Sequence, residues 1–243
     1  MNIIKLNAID STNSYLKQLA KETFLQDETV VITNHQTSGR GQMGNGWISK
    51  DGESLTFSMF KRFDCLLVER QFIISMVVSL GIIEVLKALN VPDISIKWPN
   101  DILSAKKKVG GILIENVLES TSVKYSVIGI GINVNETSFL NLPQASSLKL
   151  ETGIAFTLEE VLQLILKNVF KKLQNLSEKN FFEMKQYYES NLFKKETVSV
   201  FETPDGSRFN GIIKGISEIG ELSVKTENDD LQNFQLKEVK LIY

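Results

Sequence analysis

The sequence predicts an α+β fold: a mixed β-sheet flanked by helices, followed by a small all-β segment. Three observations carry this. Short β-branched or alternating runs (Val30–Thr33, Leu55–Phe60, Gly110–Glu115, Tyr125–Ile130) are interleaved with stretches of helical periodicity. With 243 residues, 42% of them hydrophobic, the chain holds enough apolar material for one sizeable core. Near Lys194 the texture changes to short β-type runs separated by turn residues, predicting domains at 1–193 and 194–243.

Taken in order, Ser11–Thr12–Asn13–Ser14 precedes Leu16, Leu19 and Ala20 and reads as a capped helix N-terminus. Val30–Thr33 reads as a strand, and Leu55, Phe57 and Met59 alternate with Thr56, Ser58 and Phe60 in a second. A long helix over Val68–Leu89 follows; Ser75, Ser79, Glu84 and Lys87 interrupt its apolar run, so a buried helix fits better than a membrane span. Ile94–Lys97 is a short strand ending at Trp98–Pro99, and proline at 99 favours an extended Trp98. Thr157-x-x-Glu160 has the capping-box pattern and opens a helix through Leu173. A further helix is expected from about Ser177 to Leu192, with Phe181, Tyr188 and Leu192 on one face. Val198–Phe201, Gly211–Ile216, Leu222–Thr226 and Val239–Ile242 are the expected strands of the small barrel-like domain.

Charge and cysteine content exclude several classes. Lys plus Arg number 27 and Asp plus Glu 29, so the basic excess expected of a nonspecific duplex-DNA binder is missing. Cys65 is the one cysteine, so no intrachain disulfide can form. With no charged-then-apolar leader at Met1, a cytoplasmic protein is expected, without a membrane anchor.

Gly39-x-Gly41-x-x-Gly44 matches the dinucleotide-binding fingerprint, which requires a strand before it and a helix after it. The strand is present, but Asn45–Gly46–Trp47 leads into the strand at Leu55, so that reading fails on context. A kinase glycine loop also lies between strands, yet neither His-Arg-Asp nor Asp-Phe-Gly occurs, and the Gly-Lys-Ser/Thr ending of a phosphate loop is missing. What remains is a loop of bare N–H groups with one cation, Arg40, and one large aromatic, Trp47, able to wrap an anion. A glycine-rich hairpin without a ligand fits the same letters.

Lys97–Trp98–Pro99–Asn100–Asp101 places two polar side chains at a strand end, a usual position for ligand contacts, although a polar turn capped by Asn and Asp fits equally. Lys106–Lys108 precedes Gly110–Gly111; one of these lysines could reach a pocket while the others stay solvated. Gly129–Ile130–Gly131–Ile132–Asn133 ends a strand with glycines that permit close backbone approach, or that mark a bulge.

In this order, Ser11–Thr12–Asn13, Gln36, the Gly39–Trp47 loop, Lys97–Asp101, Lys108 with Gly111, and Gly129–Asn133 resemble the biotin–protein ligase family. The resemblance covers about Ser11 to Asn133; the C-terminal run looks like the family's SH3-like β-barrel on weaker motifs. It implies a catalytic domain like that of class II aminoacyl-tRNA synthetases. It also implies condensation of biotin with ATP, accompanied by Mg²⁺, to biotinyl-5′-AMP, and transfer of biotin to a lysine of a biotin carboxyl carrier domain of a biotin-dependent carboxylase. A homodimer is implied as well.

By resemblance Arg40 and Lys108 are the cations that offset repulsion between carboxylate and α-phosphate, and Asp101 orients the incoming lysine or the metal–phosphate group. Ser11, Thr12, Asn13, Gln36, Gly39, Gly41, Gln42 and Gly111 join Arg40 and Lys108 as biotin contacts. Trp47 stacks on adenine, and Asn100, Gly131 and Asn133 contact the nucleotide. The resemblance leaves the metal ligands unknown. The loop departs from the family pattern: Gln42, Met43 and Asn45 stand where many members have arginines, which leaves one cation to retain the adenylate. The family segment starts within about ten residues of Met1, so no N-terminal helix-turn-helix domain is expected. A lipoate or octanoate ligase or transferase of related fold, and a non-catalytic biotin-binding module, are the rival readings.

Overall fold

The computed structural model describes residues 1–140, 142–176 and 180–243. Its seven-stranded sheet comprises β1 (Asn2–Ile9), β2 (Thr29–Gln36), β3 (Ser54–Leu67), β4 (Ser95–Lys97), β5 (Asp101–Ser104), β6 (Lys107–Glu119) and β7 (Ser122–Asn133), in the order β1-β2-β3-β7-β6-β5-β4. β1 and β2 are parallel and joined through helix α1 (Thr12–Glu22); the other neighbours are antiparallel. The sheet is therefore mixed, as expected.

Strand periodicity assigns the two faces. On β3, Leu55, Phe57 and Met59 join Ile128, Ile130 and Ile132 of β7 in one buried cluster, covered by α2 (Phe72–Ala88) and α4 (Leu158–Gln174). The opposite face sets Phe60, Tyr125 and Val127 against Leu16 of α1. Thr56 and Ser58 share that face and are also buried, so the polar half of the alternation meets protein and not solvent. The segment Val68–Ala88, which includes α2, is long and apolar enough in composition to cross a membrane, but 12 of the 17 residues of α2 are buried. Its apolar surface is spent on the core.

Several local expectations are refined. Ser11 caps α1 as read, accepting from the Ser14 N–H. Thr157 stands at the N-cap of α4, but its hydroxyl makes no capping bond; the apolar series Val161, Leu162, Ile165, Leu166 and Val169 fixes that helix instead. The long helix begins at Phe72 because Val68–Arg70 forms a separate 3₁₀ turn. Helix α5 is Phe181–Ser190, and part of the expected start at Ser177 lies outside the described residues. β1, β5 and β11 (Leu231–Phe234) escaped the pattern: β1 and β11 are edge strands with much exposed surface, and β5 has four residues. Strand β4 ends at Lys97, and Trp98–Pro99 in the turn that follows is a cis bond.

The C-terminal sheet has the order β11-β10-β9-β8-β12, with β8 at Val198–Glu202, β9 at Arg208–Ile216, β10 at Leu222–Thr226 and β12 at Lys240–Ile242. It docks through the turn at Gly220. The Trp98 indole donates to the Gly220 carbonyl at 2.9 Å, and Phe72 lies so close that a Cβ on Gly220 would come within 2.0 Å of its ring. Gly220 also has φ +91°, where a side chain is strained. Gly220→Ala is therefore expected to destabilise the protein by about 1–3 kcal/mol; urea unfolding measures this, and an unchanged midpoint would show that the contact does not anchor the sheet.

Candidate functional site

A cleft of about 550 Å³ opens on the α1 face of the large sheet, walled by the Gly39–Trp47 loop, the Trp98–Asp101 turn and the C-terminal sheet. It exists because the sheet lacks side chains there. Gly111 of β6 pairs with Gly131 of β7, and Gly129 sits two residues along on the same face. No bulge interrupts β7 at these glycines.

At one end, the N-terminus of α1 meets β2 and β3 in a polar cluster. Thr12 donates its N–H to Gln36 Oε1 at 2.8 Å, and its hydroxyl lies 3.2 Å from the same oxygen. The Ser58 hydroxyl is 2.7 Å from Thr12 Oγ1 and 2.5 Å from Asn13 Oδ1. A hydroxyl has one hydrogen, so Ser58 cannot donate to both. Three oxygen–oxygen contacts (Thr12–Gln36, Ser58–Thr12 and Ser58–Asn13) share two hydroxyl hydrogens, which leaves acceptor capacity for a ligand bearing N–H groups. Gly129 makes room for this cluster, since a Cβ there would stand 2.4 Å from Asn13 Oδ1.

Beside it lies a charged network. Glu115 Oε1 accepts from Lys17 Nζ at 2.7 Å and faces an Arg40 nitrogen at 3.5 Å; Oε2 accepts from Asn13 Nδ2 at 3.0 Å. Burial by itself would raise the Glu115 pKa, but hydrogen bonds from Lys17 and Asn13 and the charges of Lys17 and Arg40 outweigh it, holding the carboxyl below its ordinary range. Arg40 also donates to Ser14 Oγ at 3.2 Å. Its loop is closed by Gly41 N–H to Asn45 O (2.7 Å) and Trp47 N–H to Gly39 O (2.9 Å). Gly39 works at this neck and not on the cleft wall: a Cβ would lie 2.1 Å from the Trp47 carbonyl oxygen.

At the other end, Asp101 sits between two lysines, with Lys108 Nζ at 2.6 Å and Lys97 Nζ at 3.6 Å. The Tyr243 ring lies under Lys97, 5.1 Å from its ammonium. Burial, and then the Asp101 charge, raise the Tyr243 pKa. Among the described residues no group of three His, Cys, Asp or Glu side chains forms a metal cage.

Between the two ends lies the Trp47 indole. It spans the glycine trough: a Cβ on Gly131 would be 2.3 Å from the ring and one on Gly111 3.3 Å, with Lys108 Nζ 5.7 Å from the ring centroid. Its Nε1–H is buried with no acceptor.

The fold thus brings Ser11, Thr12, Asn13 and Gln36 together with Arg40, Gly41, Gln42 and Trp47 in one cleft, and adds Asn100, Asp101, Lys108, Gly111 and Gly131. Asn100 spends its amide N–H on the Ile112 carbonyl at 2.8 Å. Asn133 is not brought in: it is buried, donates to the Ser146 carbonyl at 2.9 Å, and does not line the cleft. Sequence reasoning passed over Glu115, Ser58 and Lys17, although each carries a signal. Glu115 shares the period-2 face of Gly111, Ser58 shares that of Thr56, and Lys17 follows Asn13 by one helical turn. Nothing in the sequence pointed to Lys237 and Lys240, which reach the cleft from the C-terminal sheet.

Known proteins resemble this chain in sequence and in fold. The model of the biotin/lipoate A/B protein ligase family matches residues 6–133. The bifunctional ligase/repressor BirA of Bacillus spizizenii is 31% identical over 231 residues, 93% of this chain and 70% of that protein. The biotin–[acetyl-CoA-carboxylase] ligase of Mycobacterium tuberculosis is 32% identical over 148 residues, 60% of this chain and 53% of its own. Among solved structures, the biotin protein ligase of Aquifex aeolicus in complex with biotin and ATP aligns with a TM-score of 0.80 at 30% identity, covering 99% of this chain and 98% of that one.

Gly131→Ala is expected to push the indole of Trp47 out of the trough and red-shift its fluorescence. In a Trp98→Phe background, an unchanged emission spectrum would show that the ring is not seated on Gly131.

Proposed function

Because the chain belongs to the biotin/lipoate A/B protein ligase family, we propose that it is an ATP-dependent biotin ligase acting on a biotin carboxyl carrier domain of a biotin-dependent carboxylase. In the first step a biotin carboxylate oxygen attacks the α-phosphorus of ATP. The bond from that phosphorus to the β-phosphate bridging oxygen breaks, giving biotinyl-5′-AMP and pyrophosphate. In the second, the amine of the acceptor lysine attacks the acyl carbon and AMP leaves.

The observation that carries this reading is one cleft with a hydrogen-bonding floor at one end and cations at both ends. Thr12, Asn13, Gln36 and Ser58 present the acceptor-rich surface that a ureido ring, with its two N–H groups, can satisfy. An apolar dithiolane would leave those groups unpaired, which disfavours lipoate.

Bringing a carboxylate to about 4 Å from a phosphate costs roughly 4 kcal/mol at an effective dielectric of 20. Arg40 and Lys108 supply positive charge against that repulsion. Asp101 holds the Lys108 ammonium in place at 2.6 Å. Trp47 lies over the glycine trough; stacking on adenine is its proposed role, and the wall containing Asn100 and Gly131 is the proposed nucleotide side. Asn133 acts only indirectly, by fixing the Ser146 segment.

Mg²⁺ takes one or two carboxylates and fills its remaining positions from phosphates and water. Both Asp101 oxygens already face ammonium groups, Lys108 at 2.6 Å and Lys97 at 3.6 Å, so an ion arriving with ATP would be held mainly by phosphates and water, with the Asn100 side-chain oxygen on the same wall as a protein donor. When bound, the ion would neutralise phosphate charge. In this proposal residues 1–193 are the catalytic domain and 194–243 a small domain closing one wall. A cytoplasmic homodimer belongs to the same reading.

Incubation with biotin, Mg-ATP and an acceptor domain is expected to add one biotinyl mass to the acceptor. ATP–pyrophosphate exchange driven by lipoate and not by biotin would refute the choice of substrate, and tight biotin binding without labelling would point to a binding module. Lys108→Ala should lower biotin-dependent exchange by roughly 100-fold or more while affecting ATP affinity less. A normal exchange rate in that variant would remove Lys108 from the chemistry.

A further inference from the structure

Arg40 is the one cation of the glycine loop, and its contacts with its own protein are sparse. An arginine facing a free carboxylate normally forms two parallel hydrogen bonds. Here Glu115 is close enough for that, but both its oxygens are already engaged. Lys17 takes Oε1 at 2.7 Å and Asn13 takes Oε2 at 3.0 Å, which leaves Arg40 a single contact at 3.5 Å. The second tether of Arg40, to Ser14 Oγ at 3.2 Å, is neutral. The guanidinium side chain is 49% exposed, against 19% for Glu115.

We infer that Lys17 and Glu115 are positioning residues: Glu115 parks Arg40 in the cleft, and Lys17 competes for the same oxygen so that Arg40 stays free to turn onto an incoming anion. The identity of that anion, a carboxylate or the adenylate phosphate, rests on the proposed biotin–ATP chemistry. Glu115 remains ionised to play this part because its hydrogen bonds and neighbouring cations offset its burial. Without Lys17, Glu115 Oε1 would close on Arg40, and a ligand would first have to break that pair.

A double-variant cycle tests this. Lys17→Met should raise the KM for biotin in exchange assays by roughly three- to tenfold, with kcat changed less than about twofold. Lys17→Arg should behave as the unmodified protein does, and Glu115→Gln should abolish the penalty. The Lys17→Met/Glu115→Gln protein should therefore match Glu115→Gln alone.

A second readout needs no ligand. Trypsin cleavage after Arg40, followed by mass spectrometry against other cut sites, should slow in Lys17→Met, quicken in Glu115→Gln, and match the latter in the double variant. A Lys17→Met penalty that persists without Glu115 would mean that Lys17 acts on the ligand itself and would overturn the inference. So would unchanged cleavage and KM in Lys17→Met. If the unmodified protein shows no biotin-dependent exchange, the proposed function falls, while the cleavage series still decides whether Lys17 and Glu115 govern Arg40.

Discussion

Across the middle of the large sheet, Gly111 faces Gly131 in register, with Gly129 beside them, all on the side that α1 partly covers. Every other structural feature of the site depends on this bare stretch of backbone. Side chains here would strike Trp47 or Asn13. Without them, the face that holds Phe60, Tyr125 and Val127 at one end becomes a trough at the other. The same strands therefore build a core and a binding surface, and the change between them happens within a few residues. The core on the opposite face, packed by α2 and α4, holds the trough rigid.

Charge is distributed along this trough in two similar sets. At each end a carboxylate is shared between two cations. Lys108 holds the near position on Asp101, at 2.6 Å, and Lys97 the far one, at 3.6 Å. On Glu115 the order is reversed: Lys17 is near, at 2.7 Å, and Arg40 far, at 3.5 Å. One cation is thus fixed and the other loosely held. That difference sets the sheet-borne side of the cleft apart from the glycine loop. It also bears on the loop's low cation count, because a lone arginine contributes only if it is not locked to its own protein.

The C-terminal sheet is part of the site. Trp98 donates to Gly220, and Phe72 abuts the same glycine, so the sheet is fastened beside the turn that carries Asn100 and Asp101. Lys237 and Lys240 line the cleft from this sheet, and Tyr243 lies beneath Lys97. A shift in docking would therefore move both the cleft wall and the support under one lysine.

By itself the sequence determined the mixed sheet, the buried α2, the cap at Ser11, the ordered motifs and the family. The elements depend on local periodicity and turn chemistry, and the family on a resemblance carried by motifs in order; both survive in one dimension. It also singled out most residues that line the cleft, from Ser11 to Gly131. Tertiary structure decided what those residues do to one another. Edge strands β1 and β11 went unread because partial burial blurs alternation. Asn133 has the right motif yet faces Ser146, because the cleft has ended where that asparagine lies. Glu115 and Lys17 lie 98 residues apart and meet only when α1 crosses the sheet. Whether a cation is free or held is fixed by distances of a few ångströms between distant segments, and no local pattern encodes them.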